Sequence, residues 1–163
     1  MPEISLFGWF HTVTGVLALL FGCYSLARFK VIRWVDKTGM VYLVLTLVAA
    51  LSALGIYRHG GFGVAHGLAV LTVAAVLVGL AAEKLSLFGG LSRYVQAASY
   101  SATLLFHMIP AITDGLMRLP AGDPVVTEIA DPLLRGFYFA FLVTYVIGLG
   151  LQIAWLRRTA GSD

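Results

Sequence analysis

Five long apolar runs, separated by short polar or charged connections, make up most of the sequence. The runs cover residues 7–28, 38–57, 62–83, 94–117 and 136–156. Each has about the 20 residues that an α-helix needs to cross the hydrocarbon core of a bilayer. No stretch with the character of a soluble domain interrupts residues 1–163. The pattern predicts an all-α, polytopic membrane helix bundle with five transmembrane helices (spans 1 to 5) in a single integral membrane domain.

Composition supports a bilayer environment. Hydrophobic residues make up 60% of the chain and charged residues only 12%, whereas a soluble domain has about 25% charged residues. We therefore expect lipid, and no nucleic acid, as the surrounding partner. Cys23 is the single cysteine, which excludes an internal disulfide, a paired-cysteine zinc motif and the Cys-x-x-Cys-His attachment of haem c.

The positions of lysine and arginine predict how the bundle is oriented. In membrane proteins these residues are enriched in cytoplasmic loops. Of the 11 lysines and arginines in the chain, eight fall on one side of the predicted bundle: Arg28, Lys30, Arg33, Lys37, Lys84, Arg93, Arg157 and Arg158. The other three, Arg58, Arg118 and Arg135, fall on the opposite side. This distribution predicts an N-terminus outside and a C-terminus in the cytoplasm.

Histidines collect on the outer side of this topology. His11 and His66 lie just inside the outer ends of spans 1 and 3, His107 lies in the outer half of span 4, and His59 is in an outer loop. A single intramembrane histidine is commonly an interhelical hydrogen-bond partner. Three histidines on three spans at similar depth instead favour a shared cofactor or metal site.

An aspartate in the same span also calls for an explanation. Inserting a charged side chain at the centre of a membrane helix costs about 2.5–3.5 kcal/mol. Asp114 follows His107 by seven residues and therefore shares its helix face. It joins His11, His66 and His107 at a metal site, or orients His107 without binding the metal, or pairs with Arg118 at i+4.

Helical spacing predicts a polar or small face on four of the spans, turned toward the bundle interior. These faces are His11, Gly15, Ala18, Gly22 and Ser25 in span 1; Tyr42, Thr46, Ala53 and Tyr57 in span 2; Tyr100, Thr103, His107 and Asp114 in span 4; and Tyr138, Tyr145 and Gln152 in span 5.

Four segments resemble a family of small predicted bacterial membrane proteins that is catalogued only as a domain of unknown function. They are WFHTVTGVLALLFG, DKTGMVYLVLTLVAALSALGIY, GVAHGLAVLTVAAVLVGLAA and LFHMIPAITDGLMRLP. The matching positions are His11, then Lys37, Gly39 and Tyr42, and then His66. The family often has a histidine before that glycine, where this chain has VDKTG. The resemblance implies a multi-pass protein of the bacterial inner membrane and brings no established chemistry.

Haem-dependent electron transfer is the leading functional hypothesis. Histidines from two helices can ligate haem iron axially, and the surroundings tune its potential. His11 and His66 match best in depth, with His107 able to replace either, so a single haem b is expected. A site near the outer face would suit electron exchange with a quinone or a periplasmic redox partner.

Three alternatives remain open. His11, His66, His107 and Asp114 could bind zinc in a membrane enzyme that acts on a lipid or acyl substrate. Copper could bind at His107 and Met108. The third alternative is a non-catalytic membrane subunit in which the polar faces specify helix packing. A homo-oligomer is compatible with all three alternatives.

Overall fold

The protein is described here from a computed structural model that covers residues 5–56 and 61–159. In those residues it contains long α-helices and one short 3-10 helix, and no strand. The α-helices are α1 (Leu6–Phe29), α2 (Lys37–Leu54), α3 (Val64–Leu85), α4 (Ser92–Arg118) and α5 (Pro132–Thr159). The predicted all-α class is confirmed, and each predicted run corresponds to one of these helices. Tyr57 and His59 lie outside the described residues.

Four of the helices, α1, α2, α3 and α5, are long and apolar enough to cross a membrane. They indicate a multi-pass membrane protein. The helix α4 is the second longest. It carries polar residues along most of its length, so its composition alone does not identify it as a membrane-spanning helix. The five-span count and the orientation therefore stay predictions.

Helices α1 to α4 pack side by side in chain order, and α5 packs against α4. The interior is built around two fully buried tyrosines, Tyr42 of α2 and Tyr100 of α4, with small and branched residues around them. The other members of this cluster are Ala18, Ile32, Leu43 and Val76. Burial of these side chains away from both lipid and water gives the bundle a defined protein core.

Glycines allow the helices to approach these tyrosines closely. A Cβ at Gly22 of α1 would lie 2.8 Å from Tyr42 Cε2 and 2.8 Å from Leu104 Cδ2. A Cβ at Gly79 of α3 would overlap the Tyr100 ring. Small residues at such contacts are typical of helix packing in membranes, where close van der Waals contact replaces the hydrophobic effect.

One carboxylate holds the C-terminal end of α3, the α1–α2 connection and α4 together. Glu83, near the end of α3, accepts hydrogen bonds from the Trp34 amide (2.9 Å), the Val35 amide (3.3 Å) and the Tyr100 hydroxyl (3.0 Å). The α1–α2 connection, α3 and α4 are therefore held by a single acceptor. Hydrogen bonds to a charged group are stronger than those between neutral groups.

Candidate functional site

The polar side chains of α4 contact the other helices along its length. The clearest cases are Tyr100 with Glu83 of α3, Thr103 with Tyr42 of α2, His107 with Thr46 of α2, Ser101 with Gln152 of α5, and Thr113 with Tyr138 of α5. A polar helix is stable in a bundle when its polar groups face protein partners instead of lipid. This arrangement explains why α4 is less apolar than its neighbours.

The predicted polar face of α5 turns toward α4 as expected. Tyr138 lies 2.6 Å from Thr113 Oγ1, the Tyr145 hydroxyl donates to the Ala98 carbonyl at 3.2 Å, and Gln152 accepts from Ser101 at 2.9 Å. The spacing of seven residues in the sequence therefore marked a real contact face.

His11 is held by α2. Its Nδ1 lies 3.0 Å from the Ala49 carbonyl oxygen and 3.0 Å from Ser52 Oγ. A carbonyl oxygen can only accept, so the partner assigns the ring proton to Nδ1 and leaves Nε2 with the lone pair. Histidines that ligate metals commonly donate their other ring N–H to a backbone carbonyl in this way.

His107 reaches the same region from α4. Its Nε2 lies 3.1 Å from Thr46 Oγ1. Its Nδ1 lies 4.0 Å from the position of a Cβ on Gly15, which is one helical turn after His11 in α1. His11 and His107 therefore both contact α2, and the His107 ring lies near α1 one helical turn after His11.

His66 has a different role. It is buried, with 5% of its surface exposed, and its Nδ1 accepts the Gly63 amide at 3.1 Å. An amide N–H can only donate, so the lone pair of this ring is at Nδ1 and the proton of the neutral form is at Nε2. The side chain caps the first turn of α3 and stacks on Phe62, with ring centroids 5.1 Å apart.

These contacts bear on the haem expected between His11 and His66. Axial ligation requires an unprotonated nitrogen from each ring. His11 provides one at Nε2, whereas the unprotonated nitrogen of His66 is occupied by the Gly63 amide. The hydrogen bonds of this structure therefore do not suit that ligand pair.

Asp114 forms the ion pair that the i+4 spacing predicted. Its Oδ2 lies 3.6 Å from Arg118 Nε, and 45% of the Asp114 side chain is exposed. The seven residues that separate it from His107 correspond to about 10 Å along the helix axis. Asp114 thus lies near the C-terminal end of α4, about two helical turns beyond His107.

The expected zinc site is not assembled in the described part of the chain. Across residues 5–56 and 61–159, no group of three or more His, Cys, Asp and Glu side chains is arranged to hold a metal ion. The structure thus places His11 and His107 against α2, and it places His66 and Asp114 in other contacts.

Two partners of the histidines, Thr46 and Ser52, were not assigned to the site from the sequence. Thr46 belongs to the predicted polar face of span 2, four residues after Tyr42, and that spacing was a usable signal. Ser52 lies on no predicted face, and only the packing of α1 on α2 brings it to His11.

No protein-family model matches the chain, and no curated protein and no solved structure matches it either. The resemblance to the bacterial family of unknown function consequently stays a prediction. Function has to be argued from the residues of the site.

Proposed function

We propose that the protein is a five-span protein of the bacterial inner membrane, with its N-terminus outside and its C-terminus in the cytoplasm, that binds one Cu(I) ion between His11 and His107. The distribution of lysine and arginine supports the orientation. The protein contacts of α4 on three neighbouring helices support its placement as a fifth span within the bundle.

The observation that carries the metal proposal is the hydrogen bond from His11 Nδ1 to the Ala49 carbonyl. It directs the lone pair of Nε2 away from α2, and His107 presents Nδ1 to the same side of α1. Two imidazoles from two helices then form a ready donor pair. Imidazole is a suitable ligand for copper.

Coordination number favours Cu(I) over zinc. Structural zinc is almost always bound by four ligands, and catalytic zinc by three protein ligands and a water. The described residues supply only the two histidines here. Cu(I) has a filled d shell and is stable with two nitrogen ligands in a line, so two imidazoles are sufficient.

A bare ion also fits His107 better than a haem does. The nitrogen of His107 that faces α1 is Nδ1, which is bonded to the ring carbon that carries Cβ. A porphyrin centred on that nitrogen would collide with the histidine's own side chain, whereas a single ion would not. Bound copper would supply one-electron redox chemistry near the outer face, where a quinone or a periplasmic redox protein is the proposed partner.

Cu(I) titration of the detergent-solubilised protein under anaerobic conditions, against a chromogenic competing chelator, tests the proposal. We expect one Cu(I) per chain. His11→Ala and His107→Ala should each weaken binding by at least about 100-fold, since the loss of outer-shell partners alone costs 10–100-fold. His66→Asn, which keeps an acceptor for the Gly63 amide, is the matched control and should bind like the wild type.

Two results would overturn the proposal. If His66→Asn lost as much copper binding as His11→Ala and His107→Ala, the copper site would not be formed by His11 and His107 alone. A Soret band in the purified protein would assign the histidines to haem instead.

A non-catalytic membrane subunit is the second candidate. The polar side chains of α4 named above are all satisfied by neighbouring helices, which is sufficient to explain their presence by packing. A folded wild-type protein that binds no Cu(I) in the titration would favour this function.

A further inference from the structure

An open cleft of about 430 Å³ lies at the end of the bundle where α3 ends and α4 begins. Its size is within the range of about 300–1,000 Å³ that is usual for small-molecule sites. Polar side chains from both helices line it: Glu83 and Ser86 from the end of α3, and Ser92, Arg93 and Gln96 from the start of α4. The cleft therefore offers a negative group, a positive group and neutral hydrogen-bonding groups to one ligand.

The carboxylate of Glu83 keeps hydrogen-bonding capacity for such a ligand. Each oxygen of a carboxylate can accept two hydrogen bonds. Among the described residues, Oε2 accepts from the Trp34 amide and the Tyr100 hydroxyl, whereas Oε1 accepts only from the Val35 amide, at 3.3 Å. Oε1 is therefore the atom that can accept a hydrogen bond from a cationic group in the cleft.

Arg93 supplies the opposite charge. Its side chain is exposed, and its guanidinium carbon lies 4.8 Å from the centroid of the Tyr94 ring. A guanidinium has five N–H donors in a fork that matches the oxygens of a phosphate. The hydrogen bond from Nη2 to the Tyr94 hydroxyl (2.9 Å) uses one of these donors, and the contact with the ring orients the others.

The two charges together select a ligand that carries both signs. An anion alone would be repelled by Glu83, and a cation alone would be repelled by Arg93. A ligand with a phosphate and a primary ammonium group avoids both costs, because the phosphate can bind Arg93 and the ammonium can donate to Glu83. Ser92 adds a donor for the phosphate: its Oγ accepts from the Phe88 amide at 3.1 Å, which leaves the hydroxyl proton to donate.

The surroundings of the cleft suit a lipid. Large apolar side chains that adjoin the lining residues in the sequence have between 41% and 72% of their surface exposed: Leu85, Leu87, Phe88 and Leu91. The helix α3 is long and apolar enough to cross a membrane, so its end lies at the level of the lipid headgroups with acyl chains close by. A polar cleft beside exposed apolar side chains matches a molecule with a polar headgroup and apolar chains.

We propose that this cleft binds the headgroup of one phosphatidylethanolamine molecule, with the phosphate on Arg93 and the ammonium on Glu83. The proposal uses none of the histidines and does not rest on the copper site. The ammonium of phosphatidylethanolamine has three N–H donors, which are replaced by methyl groups in phosphatidylcholine. Phosphatidylglycerol has the phosphate but no cation. Comparison of the three lipids therefore tests the contact with the ammonium separately from the contact with the phosphate.

Native mass spectrometry of the delipidated protein in detergent, titrated with the three lipids carrying identical acyl chains, measures the affinity for the first bound lipid. We expect phosphatidylethanolamine to bind at least about 10-fold more tightly than the other two, the difference that one hydrogen bond to a charged group makes. Equal affinities would overturn the proposal. Soluble glycerophosphoethanolamine, which lacks acyl chains, should not displace the lipid at equal concentration; full displacement would overturn the assignment to a lipid.

The phosphate contact is tested by Arg93→Ala, which should weaken the binding of all three lipids by about 10-fold. Arg28→Ala is the matched control. Arg28 is also exposed and lies over the ring of the next residue, 5.3 Å from the Phe29 centroid, but it does not line the cleft. Equal weakening in the two variants would indicate a general attraction between lipid and surface charge, and it would overturn the proposal.

The ammonium contact is tested by Glu83→Gln, which should abolish the preference for phosphatidylethanolamine over phosphatidylcholine. Because the preference compares two lipids on the same variant, a change in stability does not produce it. A preference that persists in Glu83→Gln would overturn the role of the carboxylate. If this variant does not fold, the comparison of lipids on the wild type and the effect of Arg93→Ala decide the proposal.

Discussion

Gly79→Ala should destabilise the bundle far more than an alanine substitution elsewhere in the same helix. A Cβ at Gly79 would overlap the Tyr100 ring, and Tyr100 has 0% of its surface exposed. The ring is enclosed by its neighbours and its hydroxyl donates to Glu83 at 3.0 Å. To admit the methyl group, either α3 and α4 separate or the ring turns and gives up that hydrogen bond.

The magnitude follows from these two costs. Overpacking of a filled core typically costs about 1–3 kcal/mol, and loss of a hydrogen bond to a charged group costs about 1.5–3 kcal/mol. The intrinsic helix preference of alanine over glycine returns about 0.5–1 kcal/mol. We expect a net loss of about 1 kcal/mol in the free energy of unfolding if only the packing changes, and about 3 kcal/mol if the Glu83 bond is also broken.

Reversible unfolding in mixed detergent micelles, followed by circular dichroism as the denaturing detergent fraction rises, measures this difference. Gly67→Ala is the control, because a Cβ at Gly67 of α3 meets no described atom within 4 Å. It should be neutral or slightly stabilising. Equal stabilities for the two variants would refute the close contact of α3 with Tyr100.

Three further predictions concern other polar contacts. Glu83→Gln keeps the shape but removes the charge that three donors share, so we expect a loss of about 1–3 kcal/mol in the same unfolding assay. Wild-type stability would contradict the role of Glu83 in holding α3, α4 and the α1–α2 connection together. Asp114→Asn breaks a partly exposed ion pair and should change stability by less than about 1 kcal/mol with no change in Cu(I) affinity; a weaker affinity would make Asp114 part of the site. Gln152→Leu removes hydrogen bonds to Ser101 and to the Lys30 carbonyl. It should lower the free energy of unfolding by about 1–2 kcal/mol and raise the rate of amide hydrogen exchange in α5; an unchanged exchange rate would mean that these bonds do not hold α5.

Much of the fold could be predicted because apolar length and helical spacing determine it locally. The five runs gave the five helices, and the faces of α4 and α5 were visible as seven-residue repeats. The largest difference in helix bounds is at the start of α5, predicted at residue 136 and observed at Pro132. At the end of α2, the run was predicted to reach residue 57, whereas the structure ends the helix at Leu54. Apolar residues continue after that point, so hydropathy alone could not mark the end.

The candidate site could be predicted only in part, because its chemistry depends on contacts between distant residues. His11, His66 and His107 are equivalent as positions in a hydropathy pattern. The structure distinguishes them by their partners: a carbonyl for His11, an amide for His66 and a threonine hydroxyl for His107. The carbonyl and the amide decide which nitrogen of His11 and of His66 has the lone pair, and none of the three partners follows from spacing along one helix.

X-ray absorption at the copper edge of the Cu(I)-loaded protein tests the central claim most directly. We predict a two-coordinate spectrum with two imidazole nitrogens and no sulfur, lost in His11→Ala and His107→Ala and retained in His66→Asn. Sulfur scattering from a methionine or from Cys23, three or more ligands, or a spectrum that is unchanged when His11 or His107 is removed would contradict a copper site formed by this pair.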